Sequence, residues 1–445
     1  MKGLRSFGGL LVILIALGGY LYFVESKRPA GGGDAEKKDK AFAIEADKVE
    51  EFTLKSESGE RTTVRKAGTD WQIVQPAAKA DAAEVSGITS ALAGLEIQRV
   101  IDDNPADVSI YNLTQPRLEV TFKAAGKDHK LLIGRKTPPG SDLYARLDDQ
   151  PRVVLIPSYV DTTFNRGTFD LRDKAVLAVN RDEIGSLSVT TPSSTLRLEK
   201  AGGEWKLAQP VAARADFSAV EGLVSRLTTL QMKSVAAPEA ADLAQYGLDK
   251  PAATATLGSG SSQATVAFGK PAAEGTIYAR DVSKPQVVTV ESALLDELKK
   301  APGDYRQKDL FDARAFNATR IELVRNGVTT TLEKAKTKNK DGQEQDAWKL
   351  VAPAAKDVDQ TKADNLIAAV TQTRASSFLD APPTSALDKP ELTVTITSND
   401  GKRHEKVTYA RAGTDVVAVR EGEPGAAKLD VPALEAMTTA LGEVK

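Results

Sequence analysis

All three tryptophans of the chain fall in one phrase that is written three times. It reads Asp70-Trp71-Gln72-Ile73-Val74-Gln75-Pro76, then Glu204-Trp205-Lys206-Leu207-Ala208-Gln209-Pro210, then Ala347-Trp348-Lys349-Leu350-Val351-Ala352-Pro353. The tryptophans are 134 and 143 residues apart. Such an internal repeat restricts the chain to one structural unit built three times. The extra residues of the second interval are a polar run around 336–345, which reads as an extended hairpin tip.

The repeat continues downstream. Asp81, Asp216 and Asp359 each precede an amphipathic pattern. Val85, Ile88, Leu92 and Leu95 share one helical face, as do Val220, Leu223, Leu227 and Leu230. Ala363, Leu366, Val370 and Thr373 hold those places more weakly. An Asp at that position accepts a bond from a free N–H of the first helical turn. A second phrase follows: Tyr111-Asn112-Leu113-Thr114-Gln115-Pro116, Tyr246-Gly247-Leu248-Asp249-Lys250-Pro251, and a shortened Leu387-Asp388-Lys389-Pro390. Asn112 and Gly247 are the residue types that best tolerate a left-handed cap. The proline beyond stops the helix and opens a strand.

Each unit therefore reads as three strands, a helix, a strand, a turn, three or four strands and a terminal helix near Ser158, Ser292 or Pro432. Hairpin-length connections imply mostly antiparallel pairing. The expected fold class is α+β: three homologous sheet-plus-helix units at 41–174, 175–311 and 312–445, each with a helix on one sheet face. The tryptophans are expected to anchor those helix–sheet interfaces.

The amino-terminal stretch is different. Lys2 and Arg5 precede residues 6–24, which carry no charge and end in Tyr20, Tyr22 and Phe23. About 20 helical residues cross a hydrocarbon core, and aromatic rings favour its interface. Residues 1–24 are expected to be an uncleaved transmembrane anchor, because Tyr20-Leu21-Tyr22-Phe23-Val24-Glu25 is a poor signal-peptidase site. Residues 25–40 combine three glycines with alternating charges, so they read as a flexible tether of roughly 20–25 Å span. The charge bias slightly favours the N-terminus inside, which places the C-terminal units outside the cytoplasm.

Composition narrows the chemistry. With 59 Lys+Arg against 61 Asp+Glu, the net charge of −2 argues against nucleic-acid binding. The absence of cysteine excludes disulfides, thiolate metal sites and a Cys nucleophile. Two histidines cannot make a His-rich metal centre. The phosphate-cradling, zinc-protease and nucleophile-elbow strings are missing. No catalytic, cofactor or metal residue is assigned, and no enzyme is expected.

Three constellations remain. His129 and His404 both follow a hairpin Gly and read as exposed strand residues at matching places. Tyr144-Ala145-Arg146, Tyr278-Ala279-Arg280 and the degenerate Val417-Ala418-Val419-Arg420 could bring Arg146, Arg280 and Arg420 into a ladder for an anionic ligand or partner, with Tyr144 and Tyr278 beside it. At the unit junctions Asp170, Arg172 and Lys174 match Asp304, Arg306 and Lys308, and read as contacts that fix the angle between units.

The anchor, the Gly/charge tether, the W-x-[IL]-x-x-P phrase and the Y-[GN]-L-x-x-P phrase together resemble the bacterial domain of unknown function 4340 family. Met1-Lys2-Gly3-Leu4-Arg5 with the anchor, and Tyr246-Gly247-Leu248-Asp249-Lys250-Pro251, carry the resemblance most clearly. The third unit departs from it by lacking the Tyr-Gly pair and the Tyr-Ala-Arg phrase. The resemblance implies an envelope protein often encoded beside ABC-type exporter components akin to gliding-motility auxiliary proteins. It carries no catalytic residues. The expected function is an accessory or scaffold in a transporter-like envelope assembly, with a glycan or anionic-polymer binding module as the alternative.

Overall fold

The computed structural model describes residues 39–138, 140–273, 275–338 and 342–444. The anchor expected at 6–24 and nearly all of the tether lie outside them. Among the described residues no helix is long and apolar enough to cross a membrane. The chain divides into two compact units, one ending at Lys174 and one beginning at Ala175.

The first unit holds nine strands: β1 Val49–Lys55, β2 Arg61–Ala67, β3 Asp70–Ile73, β4 Ala78–Lys79, β5 Arg99–Asp102, β6 Leu118–Ala124, β7 Lys127–Lys136, β8 Asp142–Leu147 and β9 Val153–Pro157. Their order in the sheet is β4-β3-β2-β1-β6-β7-β8-β9-β5. Pairing is antiparallel throughout, as the short connections require. Helix α1 (Ala82–Gly94) and β5 are inserted between β4 and β6, and α2 (Val160–Phe164) closes the unit. Four strands precede α1, one more than the pattern suggested. The extra one is the two-residue β4, too short to show a period.

Alternation decides which face is covered. Phe52 and Leu54 of β1, Leu118, Val120 and Phe122 of β6, and Leu131 and Ile133 of β7 point one way and are buried. Val85, Ile88 and Leu92 of α1 join them in the same core. Asp81 caps α1 as expected: its Oδ1 accepts from the N–H groups of Ala83 and Glu84 at 2.8 and 3.1 Å.

The second unit contains two sheets with the same plan. One is built from β10 Ser186–Thr190, β11 Thr195–Ala201, β12 Glu204–Gln209, β13 Ala213–Arg214, β14 Ser234–Ala237, β15 Ala253–Ser259, β16 Ser262–Pro271, β17 Thr276–Asp281 and β18 Val287–Glu291. The other uses β19 Ala318–Arg325, β20 Val328–Lys338, β21 Glu344–Ala352, β22 Lys356–Asp357, β23 Ser377–Leu379, β24 Leu392–Ser398, β25 Arg403–Ala412, β26 Asp415–Arg420 and β27 Ala426–Leu429. Their orders, β13-β12-β11-β10-β15-β16-β17-β18-β14 and β22-β21-β20-β19-β24-β25-β26-β27-β23, repeat the first sheet strand for strand. Helices α3 (Phe217–Thr228) and α4 (Ala293–Leu298) serve the second sheet. Helices α5 (Gln360–Thr371), α6 (Thr384–Leu387) and α7 (Val431–Glu443) serve the third. The weaker apolar face of α5 is supplemented by α7, whose Leu434, Met437 and Leu441 enter the same core.

The tryptophan phrase lies on β3, β12 and β21. Trp205 and Trp348 are buried and Trp71 is half-buried against Phe52. Trp205 reaches α3, where its indole N–H donates to Glu221 Oε1 at 2.8 Å. The phrase ends in a cis peptide before Pro76, Pro210 and Pro353 alike. In the polar run of the third copy Lys338 pairs with Glu344, and Lys336 Nζ meets Asp346 at 2.8 Å.

Asn112 and Gly247 take φ of 57° and 67°, the left-handed caps the second phrase calls for. That turn lies directly over the sheet. A Cβ on Gly134 would stand 2.0 Å from the Tyr111 carbonyl oxygen, and one on Gly269 2.2 Å from that of Tyr246. The register makes Ala410 their equivalent in the third sheet, where the turn phrase is shortened and α6 replaces it.

Candidate functional site

The register corrects two of the sequence correspondences. Ile133, Phe268 and Tyr409 are equivalent, facing Ala145, Ala279 and Ala418 on the next strand. Arg146 and Arg280 therefore match, but their counterpart in the third sheet is Val419. Arg420 matches Leu147 and Asp281 instead. One residue of slip moves a side chain to the opposite face of a strand, so Arg420 does not share the strand face that Arg146 and Arg280 occupy in their own sheets. Arg146 donates to the Gln150 carbonyl at 3.1 and 3.2 Å, and Arg280 to that of Lys284 at 2.6 Å, so each closes its own hairpin. Tyr144 and Tyr278 pack on the turn phrase, 4.8 Å from Tyr111 and 5.0 Å from Tyr246 between ring centroids. The third unit lacks both members of this aromatic pair, and Val417 takes the strand position.

The histidines are likewise one residue out of step. The hairpin between β6 and β7 has two loop residues, while that between β24 and β25 has four. His129 is therefore equivalent to Glu405, and His404 falls on the exposed face. His129 is not the exposed residue expected. It packs against both Phe42 and Phe122, with Nδ1 3.3 Å from Asp148 Oδ2. Glu405 does the corresponding work at the start of the third unit. Its two carboxylate oxygens accept the N–H groups of Asp312 and Ala313, both at 2.8 Å. At this one strand position, packing on Phe42 and hydrogen bonding to 312–313 both fasten the segment where the chain enters the sheet.

The junction residues are backbone elements first. Leu171 accepts from Asp81 N–H, and Asp173 N–H donates to Lys79, both at 2.9 Å, with Arg172 bridged to Ala80. Tyr305, Gln307 and Arg306 repeat this on Asp216, Arg214 and Ala215. Each connector thus covers the open edge of β4 or β13, a standard protection for an edge strand. Asp170 accepts from Gly167 N–H at 2.9 Å within its own turn.

Between the second and third sheets the charges become dense. Arg214 of β13 reaches across to Asp312 and Glu423 and donates to the Asp309 carbonyl at 2.9 Å. Arg420 donates to Glu405 at 2.6 Å, to Glu423 at 3.3 Å and to Asp312 at 3.4 Å. Arg403 also binds Asp312. Burial pushes the Arg214 guanidinium down, but Glu423 and Asp312 outweigh it and hold the group above its ordinary value. Arg306 is only 6% exposed and stacks on Phe378, 4.0 Å from guanidinium carbon to ring centroid. Burial lowers its pKa, against the opposing pull of Glu423 and Asp380. These partners lie far apart in sequence, and nothing in the repeat pattern marks them.

Beside this cluster lies a cleft of about 510 Å³. Its walls are the β10–β11 hairpin (Ser193, Ser194), the segment at Pro210 and Val211, the connector with Gly303, Asp304, Arg306 and Lys308, and β23 with Ser377 and Phe378. The junction residues Asp304 and Arg306 therefore line a cavity as well as a connection. The first unit carries a cavity of about 360 Å³ around His129, Asp148 and Glu51. Among the described residues, no group of three or more His, Asp or Glu is placed to hold a metal ion.

Comparison with known proteins places the chain in a family. The family described as domain of unknown function (DUF4340) matches residues 71–206 and 205–390, and the chain belongs to it. Both matched segments begin at or beside a repeated tryptophan, Trp71 and Trp205. No curated protein matches the chain.

Proposed function

We propose that this chain is a non-enzymatic, single-pass membrane protein of the bacterial inner membrane. Its triplicated domain stands in the periplasm as an accessory or scaffold in an ABC-transporter-like assembly. The apolar residues 6–24 supply the anchor and residues 25–40 the tether. The observation that carries the scaffold reading is the Arg214–Asp312–Arg420–Glu405 cluster. It fixes two homologous sheets against one another through charges that a ligand site would otherwise use. Domains held at a set angle offer an extended surface for protein contact. The glycan or anionic-polymer alternative loses its main support once Arg420 turns to the opposite face from Arg146 and Arg280.

The test is cross-linking of the tagged full chain in intact cells, followed by detergent extraction and mass spectrometry. The expected result is stoichiometric recovery of a transporter permease or ATPase subunit that disappears when residues 41–445 are deleted. Recovery of no stoichiometric protein partner overturns the proposal.

A further inference from the structure

We infer that copies of this chain join head to tail: residues 36–38 of one copy add as a short strand to the open edge of β22 in the next. This goes beyond the scaffold reading and stands whether or not a transporter subunit is recovered.

The first ground is the connector between successive sheets, which does the same two things each time. Arg172 bridges Ala80 at the edge of β4, and three residues on, Ala175 bridges Gln231 where the chain enters the second sheet. Arg306 bridges Ala215 at the edge of β13, and three residues on, Asp309 bridges Arg374 where it enters the third. Entry to the first sheet is made in the same way, by Lys40 bridging Glu96. Three residues before Lys40, Lys37 holds the sequence place of Arg172 and Arg306.

The matching edge is that of β22. The Asp81 N–H and Lys79 C=O bond Leu171 and Asp173, and the Asp216 N–H and Arg214 C=O bond Tyr305 and Gln307. Among the described residues no backbone group bonds the equivalent Asp359 N–H and Asp357 C=O, and no segment bridges Val358. Gln360 bonds Trp348 and the Val358 carbonyl, which lie on the β21 side, so the outer groups stay open. Ala80 and Ala215 are buried under their connectors, whereas Val358 is half-buried and the Asp357 side chain is 92% exposed. An open edge of this kind is a template for another strand.

The second ground is charge, and it selects a second copy. Lys79 Nζ stands 3.8 Å from Asp173 Oδ2. In the inferred pairing Asp357 takes the place of Lys79 and Lys38 that of Asp173, so the same ion pair forms with its signs exchanged. Opposite charges facing across a strand pair favour it. Glu36 falls opposite Asp359, at the amino end of α5, where the helix dipole favours a carboxylate. Leu171 and Tyr305, whose place Glu36 holds, are buried. The third sheet does not need that apolar contribution, because Leu441 and Val444 at the end of α7 already lie in its core. Such a contact is heterologous, so each added copy again presents an open β22.

Two main-chain bonds and one ion pair make a small contact, so a disulfide trap reads it, and the chain has no cysteine to compete. Lys37 should face Val358 as Arg172 faces Ala80, in a non-hydrogen-bonded pair with Cα atoms roughly 4.5 Å apart, within disulfide reach. Two differently tagged full-length copies are co-expressed, one carrying Lys37→Cys and the other Val358→Cys, and the cells are treated with a mild oxidant. The dimer carrying both tags is expected in about fivefold or greater excess over that formed when Asp357→Cys replaces Val358→Cys, because that side chain leaves the other strand face. Asp357→Lys in the Val358→Cys copy should cut the yield about threefold or more, and Lys38→Asp in the Lys37→Cys copy should restore it. Each variant is expected to keep the wild-type melting temperature. Absence of the doubly tagged dimer, equal yield from the misregistered pair, or indifference to the charge exchange overturns the inference. Transporter recovery without the doubly tagged dimer sinks the head-to-tail contact and leaves the scaffold reading. The doubly tagged dimer without transporter recovery does the reverse.

Discussion

Arg420 donates to Glu405 across 2.6 Å, and the receiving carboxylate is only 1% exposed. The same carboxylate accepts both N–H groups of the 312–313 segment, so one buried anion joins strands β25 and β26 to the chain entering the third sheet.

Removing that anion takes the shortest partner from Arg420 and leaves the N–H groups of Asp312 and buried Ala313 without their acceptor. Glu405→Ala is expected to destabilise the protein by about 3–5 kcal/mol. Glu405→Gln keeps the shape and should lose less. Urea unfolding of both variants checks this. Equal, small losses would show that the carboxylate is dispensable.

The turn over the sheet makes a steric prediction. Gly134→Ala and Gly269→Ala each drive a methyl group into a carbonyl oxygen at 2.0 and 2.2 Å. Each is expected to destabilise by about 3 kcal/mol. The reverse change at the equivalent site, Ala410→Gly, should cost only about 1 kcal/mol, as for a glycine placed in a strand. Thermal melts of the three variants give the comparison.

Glu221 links stability to acidity. The Trp205 indole N–H holds its carboxyl below the ordinary value of 4.5; burial opposes this, and Lys200 and Arg181 reinforce it. A carboxylate depressed in the folded state stabilises above its unfolded pKa, and that contribution disappears as pH falls through the folded value. Glu221→Gln should therefore flatten the acid limb of the stability curve below about pH 5 and leave its slope near pH 7 unchanged. Urea midpoints followed by tryptophan fluorescence from about pH 3 to 7 read this directly.

The helix caps form a matched series. Asp216 accepts from Ala219 N–H at 2.9 Å, and Asp359 from Thr361 and Lys362 at 2.9 and 3.2 Å. Alanine at Asp81, Asp216 or Asp359 is expected to cost about 1 kcal/mol in each case. Asn should restore most of it. Denaturant midpoints of the six variants test the set.

Local patterns carried most of the fold. The tryptophan phrase, the capping aspartates and the Asn112 and Gly247 turns act within a few residues of chain, and each appears where the repeat places it. Hairpin length limited the rest. Two additional loop residues before β25 put Glu405, not His404, at the strand position equivalent to that of His129, and a one-residue offset on β26 put Arg420 on the other strand face from that of Arg146 and Arg280 in their own sheets. The expected partners of Trp205 and of the junction arginines were invisible for a related reason: side-chain contacts between distant segments leave no periodic trace.

By itself, the sequence determined a unit repeated three times, its helices, caps and turns, because these depend on neighbours along the chain. Only the tertiary structure decided that Arg214, Asp312, Glu405, Arg420 and Glu423 meet, and that β23 borders a cleft. Those facts depend on strand register and on how two sheets approach, where a shift of one residue reverses the direction of every side chain.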